Sequence, residues 1–228
     1  MQGLKDELFD LLQAKGARLM GVADLKGIVG GALTTGVSVA VPVPKEIVRD
    51  LQTAPTLAYY EAYHSLNAQL NQIVSAGAAL LQERGFHAVA NTTDTVKTDE
   101  NWRSPLPHKT VAVHAGLGWI GKNCLLITER YGGAVRLSSL LTDAPLPFDA
   151  PVEKSRCGGC RVCVERCTSK DFYFAKWKPG IELEKLVDLK GCYHDQVLMM
   201  KQATGIETDL CGLCFAVCSY TQRYLREE

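Results

Sequence analysis

The apolar and polar positions in the first two thirds of the chain alternate between helical and extended periods. Residues 1–16 carry four leucines on one side of an amphipathic helix. From Thr56 to Arg84, apolar residues recur every three or four positions, which predicts a long helix ending at Gly85. The apolar runs Val37–Val43 and Phe86–Ala90 predict strands. This alternation of strands with helices indicates an α/β layered domain.

A polar stretch interrupts this alternation between residues 91 and 110. It contains two prolines and a concentration of titratable and aromatic side chains. A loop of this length inside a compact domain is usually functional. After it, the segments CLLIT and AVRLSSLLTD predict two strands joined by a turn at Tyr131–Gly133.

The segment HAGLGWIGKN imitates two nucleotide-binding motifs. Its glycines at 116, 118 and 121 satisfy G-x-G-x-x-G, and the P-loop pattern fails only where Asn123 replaces Ser or Thr. Both motifs require a helix after the glycines, whereas strands are predicted here. We therefore expect the glycines to let the backbone approach a flat or bulky cofactor. Ordinary tight turns are the alternative.

Eight cysteines form two groups in the last third of the chain. In the first group, CGGCRVCVERC, the spacing is typical of the bacterial ferredoxin run. Gly158 and Gly159 permit the tight turn that three neighbouring ligands need. In that run the fourth cysteine serves the other cluster, which predicts that the two groups exchange Cys167 and Cys218. The predicted ligand sets are Cys157, Cys160, Cys163 and Cys218 for one [4Fe-4S] cluster, and Cys192, Cys211, Cys214 and Cys167 for the other.

Zinc and disulfides are the alternatives for these thiols. Two Cys-x-x-Cys units could make a four-thiolate zinc site, but zinc would leave four ordered thiols unused. Disulfides require an oxidising compartment, and nothing in the sequence indicates secretion. Cys124 lies outside both groups and is expected to be a small buried residue, with a contact to a cofactor as the alternative.

Length and charge limit the classes of partner. The 228 residues suit a larger domain over 1–150 and a smaller one over 151–228. Lys plus Arg equals Asp plus Glu at 25 each, so no overall field attracts nucleic acid. The charged start does not read as a secretory signal, and glycines and prolines interrupt the uncharged residues 27–44. We expect a cytoplasmic protein without a membrane span.

These motifs together resemble the epoxyqueuosine reductase family. The resemblance is carried by HAGLGWIGKNCLLIT, LLTDAPLP and the two cysteine groups, and it extends to GARLMGVADL, VSVAVPVP and PTLAYYEAYHSLNAQL in the family's order. It implies an α/β (α+β) chain with a nitroreductase-like cobalamin-binding domain, followed by a ferredoxin-like domain with two [4Fe-4S] clusters. Reductive dehalogenases share this plan. The residues implied at the cofactor are Pro105, Ala115, Gly116, Gly118, Trp119, Gly121, Lys122 and Asn123.

The resemblance implies that the clusters pass single electrons to a corrinoid, which reduces the substrate. An external donor of the ferredoxin or flavodoxin type is expected to supply the electrons. Two departures point away from a tRNA substrate: the family's helical repeats would follow the clusters, but the chain stops ten residues after Cys218, and Trp102 occupies the position of the family's proton-donating Asp. A small molecule or another protein is the expected substrate.

Four side chains near the loop are candidates for the missing proton donor. His108 leads because its ordinary pKa lies nearest to neutrality, and a purely structural histidine is the alternative. Two further functions stay open: the same relay could feed a flavin (FMN), or the chain could be a two-cluster electron carrier without a catalytic site. The candidate donors are His108, Lys109, Asp99 and Glu100.

Overall fold

The computed structural model describes residues 2–100, 104–178 and 181–227. The chain begins with a helix, passes through two paired strands, and then enters a long helix of 27 residues. A strand of four residues and a helix of seven residues follow. In chain order, these elements are α1 (Gln2–Ala14), β1 (Leu19–Asp24), β2 (Thr35–Pro42), α2 (Lys45–Asp50), α3 (Leu57–Glu83), β3 (Ala88–Asn91) and α4 (His108–His114).

The described part of the remaining chain contains three further strands, which are followed by helices of different lengths. The elements are β4 (Trp119–Ile120), β5 (Leu126–Ile127), β6 (Val135–Thr142), α5 (Val162–Arg166), a 3-10 turn (Leu183–Lys185), α6 (Leu189–Thr204), α7 (Leu213–Ala216) and α8 (Ser219–Arg226). In the described part of the chain, no helix is both long and apolar enough to cross a bilayer.

The chain divides into two compact units, and each is built from separated segments. The first unit comprises Met1–Val41, Ser65–Leu117 and Arg136–Val152, and the second comprises Pro42–His64, Gly118–Val135 and Glu153–Glu228. The division passes through the glycine-rich segment between Leu117 and Gly118. The functional division at residue 150 stays a prediction.

A four-stranded sheet organises the first unit, with the strand order β1-β2-β6-β3. β1 pairs antiparallel with β2, from Leu19 opposite Ala40 to Asp24 opposite Thr35. β3 pairs antiparallel with β6, beginning at Ala88 opposite Thr142. Leucines of α1 and the inward face of α3 pack with apolar residues of the sheet into one buried cluster. Burial of this apolar surface is the main source of the unit's stability.

A smaller apolar cluster positions α4 within the first unit. Val111 on this helix and Ala115 after it are buried with Ala23 and Leu25 from the end of β1. The backbone then turns: Leu117 N donates to Ala112 O at 2.9 Å. The helix therefore brings His108 and the start of the glycine segment into a fixed place in this unit.

The second unit combines the two-stranded β4-β5 sheet with the cysteine-bearing helices. Its helix α8 is anchored at three points. Tyr224 Oη donates to Val43 O at 3.2 Å, Arg49 Nη2 donates to Leu225 O at 2.8 Å, and Gly133 N donates to Thr221 Oγ1 at 3.0 Å. Because Cys218 directly precedes α8, these bonds also fix the position of that thiol.

The mixed α/β class predicted from the sequence is confirmed. The periodic segment Thr56–Arg84 forms α3, and the two apolar runs form β2 and β3. The two strands predicted on either side of the turn at Tyr131–Gly133 form β5 and β6, but they do not pair with each other: β5 pairs with β4, and β6 lies in the four-stranded sheet. Period-two patterns identify strands but do not identify their partners.

Truncation of a buried leucine in α3 tests the importance of this core. Leu81 is 0% exposed, so we expect Leu81→Ala to lower the free energy of unfolding by about 2–5 kcal/mol through lost burial and a cavity. Leu57, at the start of the same helix, is 51% exposed, and Leu57→Ala should change the value by less than about 0.5 kcal/mol. Urea unfolding followed by circular dichroism measures both. Equal losses would contradict this assignment of the core.

Candidate functional site

The first cysteine run forms a tight turn followed by the short helix α5. Cys160 N donates to Cys157 O at 3.0 Å. Between them, Gly158 has a φ of 52°, in the left-handed region where glycine lacks the usual steric penalty. Cys167 N then donates to Cys163 O at 3.2 Å at the end of the helix. The turn predicted at Gly158 is confirmed.

Four thiols of the second unit share one cavity of about 350 Å³. They are Cys157, Cys160 and Cys163 from the first run and Cys218 from the start of α8. Burial raises the pKa of Cys163 to about 12, and the nearby thiols of Cys218, Cys157 and Cys160 act in the same direction. Burial also raises the pKa of Cys218, with Cys157 and Cys160 as charged neighbours.

The other four thiols influence one another in the same way. Burial is the largest cause that raises the pKa of Cys192 on α6 to about 12. The charges of Asp171, Cys167 and Cys211 act in the same direction. Burial raises the pKa of Cys214 well above its ordinary value, and its neighbours include Cys211, Cys192 and Cys167. The structure therefore brings Cys167 to the second group and Cys218 to the first.

The two thiol groups lie beside each other within the second unit. Burial is the largest cause that raises the pKa of Cys214, followed by Cys211 and Cys192 of the second group. Cys163 of the first group also raises it. Cys163, Cys167, Cys192 and Cys214 all pack against one buried cluster that contains Cys124 and Phe172. All nine cysteines are free thiols. Among the described residues, no three His, Cys, Asp or Glu side chains are arranged as ligands of one metal ion.

Two polar residues of the glycine segment support the cysteine loops. Lys122 is only 2% exposed, and its Nζ donates to Gly158 O at 2.9 Å and to Cys160 O at 2.6 Å. Asn123 is also buried, and its Nδ2 donates to Cys214 O at 3.5 Å. Both residues line the cavity of the first thiol group. A buried ammonium that has two carbonyl partners fixes the loop between Cys157 and Cys160.

The glycines of this segment have identifiable backbone roles. Gly116 has a φ of 76°, which favours glycine. A Cβ on Gly118 would lie 2.1 Å from Ile127 O, so a side chain would push β5 away. Gly121 N donates to Leu125 O at 2.8 Å across the turn. Tight backbone packing thus accounts for these positions, and a role at a cofactor stays a prediction.

The other predicted cofactor residues differ in burial. Trp119 is 1% exposed, and its Nε1 has no hydrogen-bond partner in the described part of the chain. Its ring contacts Tyr220 edge-on with 4.8 Å between ring centroids. Ala115 is buried at the end of α4, whereas Pro105 is exposed. Pro105, Ala115 and Gly116 belong to the first unit, and Gly118 to Asn123 belong to the second.

The predicted proton donors all belong to the first unit. Asp99 and Glu100 are exposed, while His108 and Lys109 are half-buried in the first turn of α4. The predicted departure at Trp102 lies outside the described residues. No catalytic arrangement of these four side chains follows from their positions alone, so their roles stay predictions.

His108 is held by a polar network between α4 and the sheet. Its Nδ1 lies 2.9 Å from Ser139 Oγ, which also accepts from Asn91 Nδ2 at 3.2 Å. Burial lowers the pKa of His108 to about 4, and the positive charge of Arg136 acts in the same direction. The imidazole is therefore neutral near pH 7, which makes it a weaker acid donor than its ordinary pKa suggests.

Three features of the site were missed by the sequence reasoning. The segment His108–His114 forms α4, although its short apolar run gave no helical period. Asp171 lies beside Cys167, with its Oδ2 3.9 Å from the thiol sulfur. Arg156 and Arg223 line the cavity with Cys157 and Cys218. Tertiary contacts create the last two features, and no local motif identifies them.

Comparison with known proteins finds no matching family model, but it finds related sequences and folds. The epoxyqueuosine reductase of Pseudomonas aeruginosa is 32% identical over 111 residues, covering 48% of this chain and 28% of that protein. A crystal structure of epoxyqueuosine reductase with an epoxyqueuosine-modified tRNA-Tyr stem loop superposes with a TM-score of 0.62 at 18% identity, over 96% of this chain and 66% of that one. A reductive dehalogenase, whose structure suggests a mechanism for B12-dependent dehalogenation, gives a TM-score of 0.70 at 17% identity, over 94% and 31%.

The sequence match and the fold match point to the same proteins. The chain spans 16–38% of the length of the first three curated relatives, all of which are epoxyqueuosine reductases. The fold match is nearly complete on the side of this chain. The predicted resemblance is therefore confirmed: the chain is a relative of the epoxyqueuosine reductases and shares its fold with them and with reductive dehalogenases.

Proposed function

We propose that the chain is an iron-sulfur oxidoreductase in which two [4Fe-4S] clusters deliver electrons to a corrinoid that reduces a small-molecule substrate. The observation that carries the proposal is the arrangement of eight thiols as two neighbouring groups of four. Similarity to epoxyqueuosine reductases and the fold of a reductive dehalogenase support it. In this proposal the chain is an enzyme of the reductase class.

The residues of the first thiol group fit an iron-sulfur cluster. Four thiols surround one cavity, and cationic side chains that would offset the charge of a thiolate cluster line the same space. Burial raises the pKa of Cys163 and of Cys218, so metal binding must release the protons of these two thiols. Cys157, Cys160, Cys163 and Cys218 would hold the first cluster, and Cys167, Cys192, Cys211 and Cys214 the second. When bound, the clusters supply one-electron transfer.

The fit to a corrinoid is supported by smaller features of the two units. Trp119 has a buried N–H group with no partner in the described residues, and such a group is costly unless a ligand accepts from it. The other residues proposed to hold the group are those that the sequence resemblance implies, namely Pro105, Ala115, Gly116, Gly118, Gly121, Lys122 and Asn123. When bound, a corrinoid supplies a reducible cobalt centre.

Reduction also requires a proton, and the residues near α4 are the proposed source. His108 has a pKa of about 4, so its imidazole is neutral near pH 7 and does not carry the extra proton. Asp99 and Glu100 are exposed carboxylates on the preceding loop. Lys109, Asp99 and Glu100 are therefore proposed as donors beside His108, whose Nδ1 lies 2.9 Å from Ser139 Oγ.

Metal and cofactor analysis of the anaerobically prepared full chain tests the proposal. We expect roughly eight irons per chain and the broad absorption of iron-sulfur clusters. Added cobalamin should bind and be reduced by the dithionite-treated protein, with a change in the corrinoid bands. Flavin bands in place of corrinoid bands would favour the FMN alternative. Iron without either cofactor would favour a two-cluster electron carrier, and about one zinc without iron would contradict the whole scheme.

The exchange of fourth ligands is tested by serine variants. Because Cys218 lines the cavity with Cys157, we expect Cys218→Ser and Cys157→Ser to remove the same cluster signal from the electron paramagnetic resonance spectrum and roughly half of the iron. Cys192→Ser should remove the other signal. Cys124→Ser, outside both groups, is the control and should retain all the iron. If Cys218→Ser removes the same signal as Cys192→Ser, the exchange is wrong.

The pKa of His108 predicts a pH dependence of stability. The folded value of about 4 lies below the ordinary 6.5, so the unfolded chain binds more protons between these values. His108 therefore contributes stability that is complete above pH 6.5 and is lost as the pH falls toward 4, by at most about 3 kcal/mol. Urea unfolding at pH 7 and pH 5 should show a smaller acid loss in His108→Gln than in the native sequence. Equal acid losses would show that His108 titrates normally.

A further inference from the structure

The two thiol groups have different charged neighbours. Four cationic side chains line the cavity of the first group, namely Lys122, Arg156, Arg223 and Arg226. No carboxylate is among the described residues that line this cavity. Beside the second group, the carboxylate of Asp171 lies 3.9 Å from the sulfur of Cys167. This contrast is a property of the second unit alone and does not depend on the first.

Lys122 is the cation with the strongest expected effect on the first group. It is 2% exposed, and its Nζ donates two hydrogen bonds to carbonyls in the Cys157–Cys160 loop. Its Nζ also lies 3.9 Å from the centroid of the Phe174 ring, and Arg161 Cζ lies 4.0 Å from the same centroid. Because water is excluded around Lys122, its charge is screened weakly.

The arginines at the cavity are only partly neutralised. Arg156 and Arg223 both form ion pairs with the same carboxylate, Glu129. A single carboxylate therefore offsets the charge of two guanidinium groups. Lys122 and Arg226 add further positive charge to the cavity wall. These arginines are exposed, so each contributes less than the buried lysine.

The second group faces acidic side chains. Asp171 is 6% exposed, and its Oδ2 lies 3.9 Å from Cys167 Sγ. The negative charge of Asp171 also raises the pKa of Cys192, and the negative charge of Asp195 raises the pKa of Cys211. Asp188 caps the helix that carries Cys192 by accepting from Gly191 N at 3.0 Å. The positive charge of Arg166 opposes the charge of Asp195 at Cys211 by lowering the pKa of this thiol.

Reduction of a cluster adds one negative charge to it. Nearby cations lower the free energy of the reduced form and nearby carboxylates raise it, so charge sets the reduction potential together with hydrogen bonds and exposure. We propose, on the basis of the proposed function, that the relay is directional: the second cluster has the lower potential and gives its electron to the first, with Lys122 and Asp171 setting the difference. One electron leaves the second cluster, one enters the first, and no proton is transferred between them.

A redox titration of the reconstituted full chain, reduced stepwise with dithionite and followed by electron paramagnetic resonance, tests this order. We expect the signal that is lost in Cys157→Ser to appear at the higher potential. In Lys122→Gln, the ratio of reduced to oxidised first cluster at a fixed solution potential should fall about tenfold, a shift of about 59 mV for one electron. In Asp171→Asn, the reduction potential of the second cluster should rise by a comparable amount.

The control removes a lysine of the same unit that does not line the cavity of the first group. Lys185 is 67% exposed and pairs with Glu182, so Lys185→Gln should leave both potentials unchanged. If Lys122→Gln loses iron, Arg156→Gln is the variant to measure instead, because this arginine is exposed and lines the same cavity. Its loss should lower the reduction potential of the first cluster by a smaller amount.

Failure of the inference is distinguishable from failure of the proposed function. Two bound clusters and a reducible corrinoid, with equal or reversed potentials, would overturn the direction and leave the proposed function intact. Potentials that do not respond to Lys122, Arg156 or Asp171 would also overturn it. A native chain that retains no iron would remove the proposed function and the direction together.

Discussion

The second unit depends on the close packing of eight thiols. Burial raises the pKa of Cys163, Cys192 and Cys214, and each thiol also lies near others that would repel it if both were charged. Free thiolates are therefore unfavourable there, whereas metal-bound thiolates share their charge with the metal. In the proposed function, metal binding by these thiols would add to the stability of the helices and turns that carry them.

The glycine segment illustrates how one stretch of sequence serves several structural purposes. It was interpreted as a place where the backbone approaches a cofactor, yet Lys122 and Asn123 bind carbonyls of the two cysteine loops. Gly118 allows β5 to lie against the same segment. The segment thus orders the cysteine loops from outside the cysteine runs. A substitution of Lys122 would remove the two hydrogen bonds that fix the loop between Cys157 and Cys160.

Local patterns predicted the elements well and their long-range partners poorly. The helical period of Thr56–Arg84 and the cysteine spacings each depend on residues close in sequence, so α3 and the turn at Gly158 followed directly. The position of Asp171 beside Cys167, and that of Lys122 on the loop of Cys160, depend on the tertiary fold. The lowered pKa of His108 could not be predicted from the sequence either, because burial and the charge of Arg136 cause it, and both depend on the tertiary fold.

In the proposed function, the anchored helix α8 would give the first metal centre a mechanical role. Cys218 stands at its start, and Tyr224, Arg49 and Thr221 tie the helix to the rest of the second unit. When the ligands are as proposed, oxidative damage to the first cluster would release one end of this helix while the three bonds still hold its middle. Local opening would then begin at residue 218 and spread along α8. Exposure to oxygen would therefore appear first as new sites for protease cleavage around Cys218, before the sheet of the first unit loses its structure.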